Sequence, residues 1–205
     1  MPRFANVTVS AFIDALANSE PTPGGGTAAA VAGAMGTSLL MMVAGLAKTR
    51  TNADTEKAAL GQARAALTSV RGRMLALADS DSDAFDQVMA AFRLPKGSED
   101  EKGTRNQAIQ IATRAATDAP LETLRTAAEA MQHARTIATH GNRSAVSDVR
   151  VALELLEAAA AGATANVETN LITLEDESYR KATASAVIDL TNGITETAAA
   201  ARAAL

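Results

Sequence analysis

No cysteine occurs in this chain of 205 residues, so disulfides and thiolate-held metal sites are excluded. Tryptophan is absent as well, and aromatic residues make up 2% of the sequence. A core without large rings has to be filled by Ala, Leu, Val, Ile and Met at close helical spacing, which favours an all-α protein. Neither a basic stripe nor a set of base-stacking aromatics is present, and the formal net charge is -4, so nucleic acid is not an expected partner. "MPRFANVTVSAFIDAL" has no positive region leading into a long apolar one and no small-residue cleavage site, so no secretory signal is read and a cytoplasmic location is expected. Strand-like alternation bounded by hairpin turns is also missing.

What is present is a long uncharged run. "PTPGGGTAAAVAGAMGTSLLMMVAGLAK" extends from Pro21 to Lys48 and meets its first charge at that lysine. Its length would pass for a bilayer span of roughly 20 residues. Its Ala, Gly, Thr and Ser content is weakly hydrophobic, however, and it is a single such segment, so it is expected as the buried central helix of a bundle, with no membrane contact. Pro21 and Pro23 stop a short first helix whose Phe12, Ile13 and Leu16 share a face, and the glycines permit backbone angles other residues resist. The second helix is expected from Gly26 to Lys48. A third runs from about Ala53 to Phe92, and Ser98 with Glu101 has capping-box spacing for a fourth. Pro120 should kink or break that helix, and Gly141 should end it in the left-handed conformation. Further helices are expected from Ser144 and from about Glu175 to Ala203. The expected architecture is a single domain over residues 1–205, a bundle of long, partly kinked helices around the small-residue helix.

The glycines do not form a P-loop, because the GxxxxGK spacing and its lysine are missing, and no GxGxxG fingerprint occurs. They either let the chain turn against a neighbour or bring the backbone N–H groups of a helix N-terminus to an anion. "DSDSDAFDQ" holds Asp79, Asp81, Asp83 and Asp86 but lacks the glycine and glutamate of a calcium loop. It reads either as a solvated acidic face or as a source of one carboxylate whose burial would raise its pKa toward that of a general base. His133 and His140 lack a third ligand at zinc spacing, so no metal is expected.

The run from Pro21, with "DSDAFDQVMAAFRLPK", "EKGTRNQAIQIATRAATDAPLETL" and "HGNRSAVSDVRVALELLEAAAAGATANVETNL", resembles the cyclodeaminase/cyclohydrolase family over about residues 6 to 175. "TPGGG" and "GNxxxxSD" are the signatures that carry the resemblance. It implies an all-helical homodimer or higher homo-oligomer with a tetrahydrofolate derivative as substrate and no metal or nicotinamide cofactor. A free-standing chain resembles the cyclohydrolase branch, which implies hydrolysis of 5,10-methenyltetrahydrofolate to 10-formyltetrahydrofolate. The near alternative is the cyclodeaminase reaction, and a non-catalytic helical interaction protein is the alternative from another class. Lys48, Asp81 and Asp148 are the implied catalytic groups. Pro23, Gly24, Gly25, Gly26, Arg105, Asn142, Asn166 and Asn170 are the implied substrate-binding ones, Arg105 toward the glutamate tail.

Overall fold

A computed structural model describes residues 4–205, with Ala5 described in its backbone only. Its principal helices are α1 (Val9–Ala17), α2 (Gly25–Ala44), α3 (Asp54–Phe92), α4 (Glu99–His140), α5 (Val146–Leu171) and α6 (Glu177–Ala203), and no strand occurs among the described residues. The starts follow local chemistry. Thr8 caps α1 through the Ala11 N–H, Asp176 caps α6 through the Tyr179 N–H, and Ser98 and Glu101 form the full capping box of α4.

Small residues decide how closely α2 is packed. It lies antiparallel to α5, with Gly25 beside Asn166, Ala29 against Gly162, Gly33 against Ala159 and Gly36 against Ala152. A Cβ on Gly36 would stand 2.8 Å from the Ala152 carbonyl oxygen, and one on Gly33 would stand 2.8 Å from Met74 Cε. Glycine at these positions therefore sets the interhelical distance. The α3 and α4 helices enclose further sides of α2, and α6 covers α4. Leu40, Leu67, Met74, Leu124, Met131, Leu153 and Leu156 are fully buried among them, each contributing roughly 1.5–3 kcal/mol of apolar burial. By length and composition α2 could cross a membrane, but in this fold it is a packed bundle helix.

Several expectations need correction. The second helix stops at Ala44, and Lys48 lies in the following loop. Of the kink or break expected at Pro120, the break does not occur, since α4 runs through it to His140. Gly141 has φ -65°, outside the left-handed region; glycine is needed there because a Cβ would stand 2.5 Å from the Ile137 carbonyl oxygen and 3.0 Å from Val43 of α2. No described glycine has positive φ, so Gly24 to Gly26 do not serve by unusual backbone angles. On α1, Phe12 meets Phe4 edge to face, whereas Ile13 and Leu16 are exposed.

Candidate active site

At the N-terminus of α2 the chain encloses a cavity of about 380 Å³. The turn Pro21, Thr22, Gly24 to Gly26 forms one side, Asp81, Phe85, Val88 and Phe92 of α3 another, and Thr113 and Ala116 of α4 with Asn166, Thr169 and Asn170 of α5 complete it. Four separate segments thus converge because α2, α3, α4 and α5 pack side by side. Among the described lining residues, Asp81 is the single ionisable side chain.

Asp81 is half-buried and stands directly on Gly26, where an added Cβ would lie 2.6 Å from its Cγ. Glycine is therefore required at position 26 for room, so that a carboxylate from α3 can reach the start of α2. Gly24, the N-cap of α2, has no side chain to cap with, and the Asp81 carboxylate takes up part of that role through the Thr27 backbone N–H, while also accepting the Thr27 hydroxyl at 3.0 Å. Thr27 in turn touches the buried Ser82 hydroxyl at 3.1 Å. Burial pushes the Asp81 pKa above its ordinary value of 3.8, while hydrogen bonds from the Thr27 hydroxyl and backbone N–H pull the other way. The other aspartates of the cluster have different surroundings. Asp79 is buried and accepts the Phe4 N–H at 2.8 Å, and Asp83 and Asp86 are exposed.

The two asparagines are held by their donor halves. Asn166 Nδ2 donates to the Gly162 carbonyl at 2.8 Å, and Asn170 Nδ2 donates across to the Ala116 carbonyl at 2.8 Å. Each amide keeps its Oδ1 as the free acceptor at the cavity wall. Arg105 stands at the rim through Phe92, donating to its carbonyl at 3.0 and 3.2 Å with the guanidinium 5.4 Å from the ring centroid. Pro23 is buried behind the turn, between the lining residues Thr22 and Gly24.

The remaining candidates lie elsewhere. The 20 residues of α2 put its ends about 30 Å apart, and Lys48 follows the far end, exposed. Asn142 and Asp148 flank the start of α5 at that same far end, where the Arg50 N–H meets the His140 carbonyl at 2.8 Å. Asn142 there accepts the Ser144 N–H at 2.9 Å. Within one chain, then, the glycine corner, Asp81, Asn166 and Asn170 come together, whereas Lys48, Asn142 and Asp148 form a separate group. Thr27, Phe85, Val88, Phe92 and Thr113 belong to the cavity or its support without having been singled out for chemistry. Phe85 and Val88 carry the same apolar periodicity as core positions, and nothing local distinguishes Thr27 or Thr113. Among the described residues no group of three or more His, Asp or Glu side chains could hold a metal ion.

A helical bundle with an aromatic-walled cavity around one half-buried carboxylate has the build of a small-molecule enzyme. The chain belongs to the formiminotransferase-cyclodeaminase family, whose model matches residues 8–188. It is 38% identical over 174 residues to the methenyltetrahydrofolate cyclohydrolase of Methylorubrum extorquens, a match covering 85% of this chain and 84% of that protein. It is 30% identical over 182 residues to the formimidoyltransferase-cyclodeaminase of Gallus gallus, covering 89% of this chain and 34% of that protein. The crystal structure of formiminotetrahydrofolate cyclodeaminase from Thermotoga maritima matches with a TM-score of 0.87 at 26% identity, over 98% of this chain and 96% of that one.

Proposed function

We propose that this protein hydrolyses 5,10-methenyltetrahydrofolate to 10-formyltetrahydrofolate, within one domain spanning residues 1–205 and in the cytoplasm. The observation that carries the reading is the half-buried Asp81 carboxylate, alone in charge among the described residues of its cavity, in a chain 38% identical to a methenyltetrahydrofolate cyclohydrolase. The substrate's one-carbon bridge is a cationic amidine and is electrophilic without activation. A lone carboxylate attracts that cation, and Phe85 and Phe92 offer flat apolar faces to the pterin and aryl rings. Water adds to the bridge carbon as Asp81 accepts its proton. The tetrahedral adduct then collapses: its hydroxyl gives up a proton to become the formyl oxygen as the bond to the pterin-side nitrogen breaks and that nitrogen takes up a proton, leaving the formyl group on the other nitrogen. Net, one water is consumed and one proton released. The Oδ1 atoms of Asn166 and Asn170 accept hydrogen bonds from substrate or water, Gly24 to Gly26 bring backbone N–H groups, Pro23 fixes their turn, and Arg105 receives the glutamate tail.

Lys48, Asn142 and Asp148 join this site from a second copy of the chain. Val31, Met35 and Leu39 of α2, with Val151 and Leu155 of α5, line an apolar groove in which Met35 is 54% exposed. Two copies apposed antiparallel along α2 would cover that groove and bring the partner's far end to each cavity, which accounts for the roughly 30 Å between the two groups.

Loss of the substrate's absorbance on adding the protein tests the reaction. D81N should slow turnover by about 10² or more. Inactive K48A and D81N homodimers, unfolded together and refolded as a mixture, should regain activity in the heterodimer, and no regain would refute the shared site. The match to a solved cyclodeaminase favours a second reading, ring closure of 5-formiminotetrahydrofolate with release of ammonia. Ammonia release from that substrate, without loss of the methenyl absorbance, would replace the first reading with the second.

A further inference from the structure

The proline inside α4 and an asparagine of the cavity meet at one carbonyl oxygen. Pro120 has no N–H, and its ring crowds the carbonyl four residues back, so the Ala116 carbonyl loses its helical donor. Pro120 is itself buried, where an unpaired carbonyl nearby is costly. Asn170 supplies the missing donor, its Nδ2 reaching Ala116 O at 2.8 Å across 54 residues of sequence. A carbonyl oxygen only accepts, so this contact also settles which end of the amide faces which way. Ala116 and Asn170 both line the cavity.

We infer that Pro120 is a positioning residue for the site: by freeing the Ala116 carbonyl it anchors the Asn170 amide and holds Oδ1 as a fixed hydrogen-bond acceptor for the ligand. The inference rests on the functional reading above for what Oδ1 contacts, but not for the anchoring itself. Most prolines in helix interiors weaken the helix, so this one trades helical stability for the orientation of a polar group.

Pro120→Ala separates the two roles. Alanine restores the N–H, which competes with Asn170 for the Ala116 carbonyl, while favouring the helix. The P120A protein should melt at a higher temperature and yet lose about tenfold in kcat/KM, the size of one well-placed hydrogen bond. In an N170A background the same proline change should cost nothing further. Equal losses in both backgrounds, or unchanged activity of P120A, would overturn the inference. A readout independent of turnover is the Asn170 side-chain amide in a nitrogen–proton correlation spectrum, assigned by its absence in N170D. One of its two protons should be protected from solvent exchange in the parent protein and lose that protection in P120A. If the wild type fails to hydrolyse the folate but this protection follows Pro120, the functional reading fails and the anchoring stands; equal protection in both proteins overturns the anchoring.

Discussion

At the scale of single residues the balance around Asp81 yields a pH dependence. Burial raises its pKa above 3.8 and the Thr27 hydrogen bonds restrain the rise. If the ionised carboxylate is the working form, kcat/KM falls as pH drops through that raised value, so the acid limb of the profile lies above the range of an ordinary aspartate. Thr27→Val removes the hydroxyl that accounts for the 3.0 Å contact and keeps the side-chain shape, so its acid limb should move to still higher pH. A pH–rate profile of the two proteins checks this, and a shift downward would contradict the assignment. The stability linkage has the opposite sense. A carboxyl whose pKa is raised by folding adds stability below its unfolded pKa, and that contribution is lost as pH rises through the folded value. D81N should therefore be inactive and, at neutral pH, more resistant to urea than the parent, a combination that simple misfolding would not produce. Gly26 belongs to the same balance, since any side chain there displaces the carboxylate rather than straining the backbone.

Among the elements, the contact of α2 with α5 depends on what glycine leaves out. Gly36→Ala gains up to about 1 kcal/mol in helix propensity. It also puts a methyl group 2.8 Å from the Ala152 carbonyl and 3.0 Å from Leu156 Cγ, and the first is backbone that cannot swing aside. Overpacking of this kind costs about 1–3 kcal/mol, so the net expectation is destabilisation, measured as a lower urea midpoint at unchanged slope. The start of α4, the stop of α1 and the identity of α2 as an internal helix were legible from capping spacing, proline position and small-residue content, all of which act within a few residues. Whether α4 kinks or breaks at Pro120 was not legible, because the group that takes up the freed carbonyl lies 54 residues away. The site was legible in the same uneven way. Gly24 to Gly26, Asp81, Asn166 and Asn170 stand in recognisable strings and meet in the cavity, whereas Thr27 and Phe92 matter through neighbours on other helices. The strings carry no distances, so the separation of Lys48, Asn142 and Asp148 from that cavity emerges only when the length of α2 is laid out in space.

For the molecule as a whole, the end of the bundle opposite the cavity is tied together by one acid. Glu56, buried at the start of α3, accepts the Thr49 hydroxyl at 2.5 Å and the Thr51 N–H at 2.9 Å, closing the loop between α2 and α3. Its other oxygen lies 3.9 Å from His140 Nδ1 at the end of α4. Arg50 of the same loop donates to the Ala138 carbonyl of α4 and to the Ala204 carbonyl beyond α6. Loss of the Glu56 anchor therefore loosens the loop that joins α2, α3, α4 and the chain's last turn. The hydrogen bonds from Thr49 and Thr51 pull the Glu56 pKa from 4.5 down to about 2. A pKa depressed by folding contributes stability above the unfolded value and loses it as pH falls through the folded one, so this contribution is full above about 4.5 and gone below about 2. Asp176, lowered mainly by the Ser178 hydroxyl, acts in the same direction, and Asp81 acts in the other. Glu56→Gln keeps the shape but replaces an acceptor-only carboxylate with a neutral amide that cannot change charge. Its urea midpoint should be lower than the parent's at pH 7, and the two midpoints should converge as the pH is taken from 4.5 toward 2. A difference that stayed constant across that interval would mean that Glu56 acts through packing and not through its charge.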